Sequence, residues 1–264
     1  MGTVFQNDTE LSYDSWCNSN QGQAVDNSIE HLIRTILEPR RGERILDIGC
    51  GTGKHMLLLK KMGMEPTGLD ASSHMLKKAR ERLDKRFTLK MGWAEDLPFD
   101  DNEFDYAVMI NTLEFLNDPI QALMEAGRVS SKSIFIGAIN ALSWNGIGNR
   151  IQGLLGNPLF KNAKFYNLFQ LKSFILQAYG DVPVSWLTVQ CQPSFIKGLG
   201  SDKGVSSLCR RSPFGSFVAI SARMLYRLKT DNLPLRVRLK KAAPPLVGSS
   251  TIGDINANRG VSGE

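Results

Sequence analysis

Apolar positions along the first 140 residues switch between two periods. Val25, Ile29, Leu32, Ile33 and Ile36 recur at spacings of three and four, which predicts a helix over 22–38. Arg44–Gly49 (RILDIG) is a short apolar run closed by glycine, the pattern of a strand buried on both faces. The exchange then continues through a helix at 54–62, a strand at 66–70, a helix at 73–83, strands at 88–93 and 105–110, a helix at 119–129 and a strand at 133–139. Five such strands interleaved with helices predict an α/β fold, a doubly wound, Rossmann-like and mostly parallel sheet with helices on both faces. Beyond residue 140 the pattern weakens. Residues 140–165 are rich in Asn, Gly and Trp, with one helical stretch at 147–155. A helix over 167–179 has Asn167 as N-cap and Gly180 as its stop. Residues 185–191 and 216–225 read as two further strands, an antiparallel C-terminal hairpin that brings the sheet to seven strands; a Gly/Ser/Pro/Arg loop at 192–215 separates them. The expected organisation is one domain over 1–230 and a tail at 231–264, first basic, then low in complexity and disordered.

Composition adds exclusions. Of 264 residues, 42% are hydrophobic and 22% charged, which fits a globular protein with a sizeable core and excludes a disulfide scaffold or disorder throughout. The net charge of +6 would suggest an anionic partner. Its location narrows that suggestion: residues 223–241 carry seven bases and one acid, whereas residues 1–222 are close to neutral. Any contact with nucleic acid or anionic lipid is therefore expected to map to 223–241. Cys17, Cys50, Cys191 and Cys209 form no CxxC pair, and His31, His55 and His74 add no zinc-type spacing, so no metal is expected and the thiols read as those of a cytoplasmic protein. The first residues, MGTVFQNDTELSYDSW, lack the basic flank and apolar core of a secretory signal. No window approaches 18 consecutive apolar residues, so no membrane span is expected.

The chemistry concentrates at Ile45-Leu46-Asp47-Ile48-Gly49-Cys50-Gly51-Thr52-Gly53. A strand runs into three alternating glycines and then a helix, so backbone can approach a ligand closely and free N–H groups face it. A dinucleotide fingerprint fails at Lys54, where its last glycine belongs, and a P-loop fails at Ile48 and His55. The DIGCGTG run resembles motif I of class I S-adenosylmethionine-dependent methyltransferases. Gly68-Leu69-Asp70 and the loop Gly92-Trp93-Ala94-Glu95-Asp96-Leu97-Pro98-Phe99 extend the resemblance, which covers about residues 44–139. The pattern is closest to the small-molecule branch that contains ubiquinone and menaquinone C-methyltransferases.

That resemblance implies S-adenosylmethionine as cofactor, with Asp70 accepting from both ribose hydroxyls and the 92–99 loop on the adenine side. It also implies binding roles for Tyr13, Asp47, Gly49, Cys50, Gly51, Gly53, Ala71, Trp93, Ala94, Glu95 and Asn111. Trp93 stands where the family commonly has Asp and is expected to stack on adenine instead. The segment Leu113-Glu114-Phe115-Leu116 lacks the histidine the family often has there, so no general base is assigned. In this family the segments matching about 1–25 and 140–165 fold over the cofactor as lids, which makes Trp16, Trp144, Asn145 and Arg150 candidates for the substrate pocket. The expected activity is methyl transfer to a small-molecule acceptor by proximity and desolvation. An RNA methyltransferase using residues 223–241 is an alternative, but NTLE at 111–114 differs from the NPPY-like signature of base-amine enzymes, so nucleic acid is disfavoured. A non-catalytic, cofactor-binding regulatory protein is the second alternative, and the intact glycine loop with Asp70 argues against it.

Overall fold

The computed structural model describes residues 20–157, 160–161, 163–190 and 208–224, all within one compact unit that ends at Tyr226. The first strand, β1 (Arg44–Ile48), shows how the layers arise. Ile45 faces one core, while Leu46 and Ile48 face the other. The strands β2 (Glu65–Asp70), β3 (Thr88–Met91), β4 (Phe104–Ile110) and β5 (Ser130–Ile139) continue the sheet in parallel. Along β4, Tyr106, Val108 and Ile110 join the first core and Ala107 and Met109 the second, the period-2 alternation of a sheet covered on both faces.

Helix α1 (Asn20–Leu37) seals the first core with Val25, Ile29, Leu32 and Ile33. Helices α2 (Lys54–Lys61) and α3 (Ser73–Arg82) follow β1 and β2. Helix α4 (Pro119–Val129) starts with Pro119 and is capped by Asp118, whose carboxylate accepts from the N–H groups of Ile120 and Gln121 at 3.1 and 3.0 Å. Helix α5 (Trp144–Leu154) begins three residues earlier than the sequence pattern places it, because the Ser143 hydroxyl accepts from the Gly146 N–H at 2.9 Å. Helix α6 (Leu168–Tyr179) has the expected Asn167 cap, completed by Gln170 into a reciprocal capping box.

The C-terminal strands β6 (Val184–Gln190) and β8 (Phe217–Arg223) are antiparallel as expected, with β8 between β5 and β6. The expected seven strands stand in the order β3-β2-β1-β4-β5-β8-β6, and the three-residue β7 (Leu208–Arg210) adds an eighth at the edge of β6. The winding direction reverses between β1 and β4, so a crevice opens at the carboxyl ends of β1, β2 and β4. The basic tail lies outside the described residues.

Candidate functional site

Loops leaving β1, β2, β3 and β4 line a cleft at this crevice, of about 710 Å³ counted out to open solvent. After β1 the chain turns sharply: the N–H groups of Gly49 and Cys50 both donate to the Leu69 carbonyl, at 2.7 and 3.0 Å. Gly49 has φ +74°, and a Cβ there would lie 2.4 Å from the Thr112 side chain. Thr112 is in turn held by donating its hydroxyl to the Ile48 carbonyl at 3.0 Å. The turn is thus a place where the loops after β1 and β4 touch, and glycine alone permits the contact.

Asp70 ends β2 on the wall of the cleft. Its Oδ2 accepts from the Gly51 N–H and its Oδ1 from the Ser72 N–H, both at 2.8 Å. Burial raises its carboxyl pKa, and the two backbone donors pull it back down. Each oxygen keeps acceptor capacity beyond its one backbone bond, which suits a pair of hydroxyls. Leu69, Ala71, Met75, Ala94 and Ile110 supply apolar wall, and half-buried Trp93 and Glu95 form the rim after β3. Arg128 holds that rim loop from α4: its guanidinium donates to the carbonyls of Leu97 and Phe99 and pairs with Asp101 and Glu125.

Asn111 closes the floor in a left-handed conformation, φ +53°, with its N–H donating to the Gly137 carbonyl at 2.8 Å. Its side-chain oxygen is buried and unpartnered while the residue lines the cleft. A strained non-glycine residue with an unused acceptor at a cleft floor is arranged for a ligand donor.

The cleft brings together eight expected residues: Gly49, Gly51, Asp70, Ala71, Trp93, Ala94, Glu95 and Asn111. Three others support it from behind. Asp47 is buried beneath the loop, one carboxylate oxygen without a partner, and its pKa is raised to about 6 by burial, with His55 opposing and Asp70 adding to the shift. Cys50 turns away into the small core of Met56, Leu76, Ala79 and Leu83, where burial pushes its thiol pKa up; the thiol is packing, not a ligand group. Gly53 caps α2 with φ +76°. Trp144 is 74% exposed, and Arg150 donates to the Phe165 carbonyl at 3.4 Å; neither lines the cleft. The helix they stand on presents glycine, not these side chains, to the body of the protein. Tyr13, Trp16 and the side chain of Asn145 lie outside the described residues. Thr112, Phe115 and Leu116 line the cleft without having been assigned a role in the sequence, as do Leu69, Met75 and Ile110. Apart from Met75, which stands in the first turn of α3, their common signal is position, at or just after the ends of strands.

Among the described residues no group of histidine, cysteine and carboxylates is placed to hold a metal. Within those residues no helix is long and apolar enough to cross a membrane.

A family model described as a methyltransferase domain matches residues 46–134. The demethylmenaquinone methyltransferase of Staphylococcus carnosus is 38% identical over 98 residues, 35% of this chain and 41% of that protein. A chloroplastic 2-methyl-6-phytyl-1,4-hydroquinone methyltransferase of Oryza sativa is 38% identical over 125 residues, 44% of this chain and 36% of that protein. The chain thus spans less than half the length of either relative. A SAM-dependent methyltransferase structure from Thermotoga maritima superposes with a TM-score of 0.65 at 23% identity, over 82% of this chain and 96% of that one. The magnesium protoporphyrin IX methyltransferase of Synechocystis, solved with bound SAH, gives 0.54 at 13% identity, over 85% and 90%. At these identities the structural likeness is one of fold.

Proposed function

We propose that this chain, whose methyltransferase domain has the class I fold, transfers the methyl group of S-adenosylmethionine to a small-molecule acceptor. The cleft fits that cofactor on its own residues. Asp70 offers two oxygens to the ribose hydroxyls, and Leu69, Ala71, Trp93 and Ala94 offer an apolar slot for adenine. Gly49 and Gly51 let the backbone approach the amino-acid portion, and the unpaired Asn111 oxygen awaits a donor. The cofactor supplies a methyl group already activated by its positive sulfur.

What remains for the protein is to position and to exclude water. Phe115 and Leu116 add apolar lining to the cleft. Among the described lining residues the ionisable side chains are those of Asp70 and Glu95, and both stand at the cofactor end. An acceptor that is nucleophilic without help from a base, such as an acidic hydroxyl or an electron-rich ring carbon, suits those residues. Orientation in a dry cleft supplies up to roughly 7–11 kcal/mol of the barrier in such cases. Quinone-ring relatives favour this reading over an RNA acceptor or a non-catalytic role. The cysteine pattern supports a cytoplasmic setting.

The geometry of Asp70 carries the proposal. Calorimetry should detect S-adenosylmethionine and S-adenosylhomocysteine binding to the intact chain. Asp70→Ala should weaken both by at least about 100-fold, since it removes two charge-assisted hydrogen bonds at once. No binding by the intact chain, or equal binding by a folded Asp70→Ala protein, defeats the reading.

A further inference from the structure

Half of the twelve large apolar side chains that stand exposed among the described residues come from one stretch: Leu142, Trp144, Ile147, Ile151, Leu154 and Leu155. Leu154 is 88% exposed and Leu155 81%. Along α5 the positions 144, 147, 151, 154 and 155 recur at helical spacing, so they form one continuous stripe. A stripe of this kind ordinarily faces a core. Here the inner face is Gly146, Asn149 and Gly153 instead. A Cβ at Gly146 would lie 2.1 Å from the Asn140 carbonyl oxygen, and one at Gly153 2.6 Å from that of Phe160. The helix is seated backbone to backbone on its glycines, and it cannot roll the stripe inward without losing that seat.

The chain around the stripe carries one sign of charge: between Ala141 and Phe169 it holds Arg150, Lys161 and Lys164 and no aspartate or glutamate. Arg150, Lys161 and Lys164 are exposed. Lys164 donates to the Leu116 and Asn117 carbonyls at 3.3 and 3.5 Å, so this cationic border reaches the rim of the cleft. A second copy of the chain would bring like charges together around the stripe, which disfavours a self-interface. An apolar face with a tryptophan, flanked along the chain by these three exposed cations, is complementary to an anionic bilayer surface.

We propose that α5 is an interfacial helix that seats the protein on membranes containing anionic lipid. Its stripe enters the boundary between headgroups and acyl chains, and Arg150, Lys161 and Lys164 meet the phosphates. The proposal is independent of the methyl-transfer reading.

The test is co-sedimentation of the full chain with vesicles of phosphatidylcholine alone and of phosphatidylcholine mixed with phosphatidylglycerol. The chain should bind the mixed vesicles more tightly, and the double variant Ile151→Asp/Leu154→Asp should weaken that binding at least about tenfold. Both positions are exposed, so the variant should retain its circular dichroism spectrum. Phe169→Asp, at another exposed apolar position, should change nothing. Brominated lipid should quench tryptophan fluorescence in the intact chain and quench less after Trp144→Phe. Failure of the intact chain to bind mixed vesicles overturns the proposal. So does undiminished binding by the α5 variant, which would locate the contact in residues 223–241. A concentration-dependent dimer that the variant abolishes, without vesicle binding, would assign the face to a second copy and overturn it equally.

Discussion

Gly49 and Gly51 stand two residues apart in the same turn, both with positive φ, yet their surroundings ask different things of them. A methyl group at Gly49 collides with Thr112, which is itself fixed to the Ile48 carbonyl. A methyl group at Gly51 meets nothing within 4 Å, although the residue lines the cleft. Gly49→Ala should therefore lower both stability and cofactor affinity, because the turn must shift to relieve the overlap. Gly51→Ala should lose only about 1 kcal/mol from its left-handed backbone while blocking the space a ligand fills. Thermal melts and calorimetry on the two variants check the contrast: a large fall in Tm for Gly49→Ala and a small one for Gly51→Ala, with affinity reduced in both. Equal melting temperatures would mean that the Thr112 contact does not hold the turn. The sequence made both glycines legible as a ligand loop. It did not distinguish them, because the difference lies in a threonine more than sixty residues away that only the fold brings across.

Among the elements, the 3₁₀ turn Leu113–Phe115 after β4 is the one whose wiring has a pH signature. Its Glu114 is fully buried, accepts from the Ile139 N–H at 3.0 Å with one oxygen and leaves the other without a partner. Burial raises this carboxyl from 4.5 to about 7, against the pull of the backbone donors. The folded state holds a proton that the unfolded state releases above 4.5, so this contribution to stability is full below 4.5 and is lost as pH rises through 7. Glu114→Gln keeps an oxygen for Ile139 and cannot ionise. It should be more stable than the parent at pH 8 by up to about 3 kcal/mol, with the difference vanishing toward pH 4; denaturant melts at the two pH values measure it. A gap that does not change with pH would show that folding leaves the carboxyl pKa where it stands in the unfolded chain. The strands and helices up to residue 139 were legible to within a few residues because each carries its own periodicity. The three-residue β7 was not, since it forms only by pairing with β6 inside a stretch with no apolar pattern. Helix α5 was read as a source of pocket residues. Its tryptophan and arginine look like ligand groups in sequence, whereas the close backbone approach of Gly146 and Gly153 turns them outward.

At the scale of the whole molecule, the cleft is the place where separate parts of the sheet are tied together. Its walls come from loops after four strands, and the helix following its glycine loop is anchored to α1 through Lys54 and His55 on Asp26. A ligand there binds only the folded chain, so it must stabilise the whole unit by mass action. At a concentration a hundredfold above its Kd it should add about 2.7 kcal/mol, which for a protein of this size raises Tm by about 5–10 °C. The charge distribution decides how that shift responds to salt. The +6 of the chain equals the net charge of residues 223–241, and the remainder, which builds the cleft, is close to neutral. Asp70 is half-buried and tied to two backbone donors, a setting that salt screens less than an open surface. S-adenosylhomocysteine should therefore raise Tm by the same amount at low and high ionic strength, and Asp70→Ala should abolish the shift under both conditions. A shift that shrinks markedly as salt rises would instead draw the basic segment into cofactor binding, and would overturn the separation of charge from chemistry that the sequence and the cleft both imply.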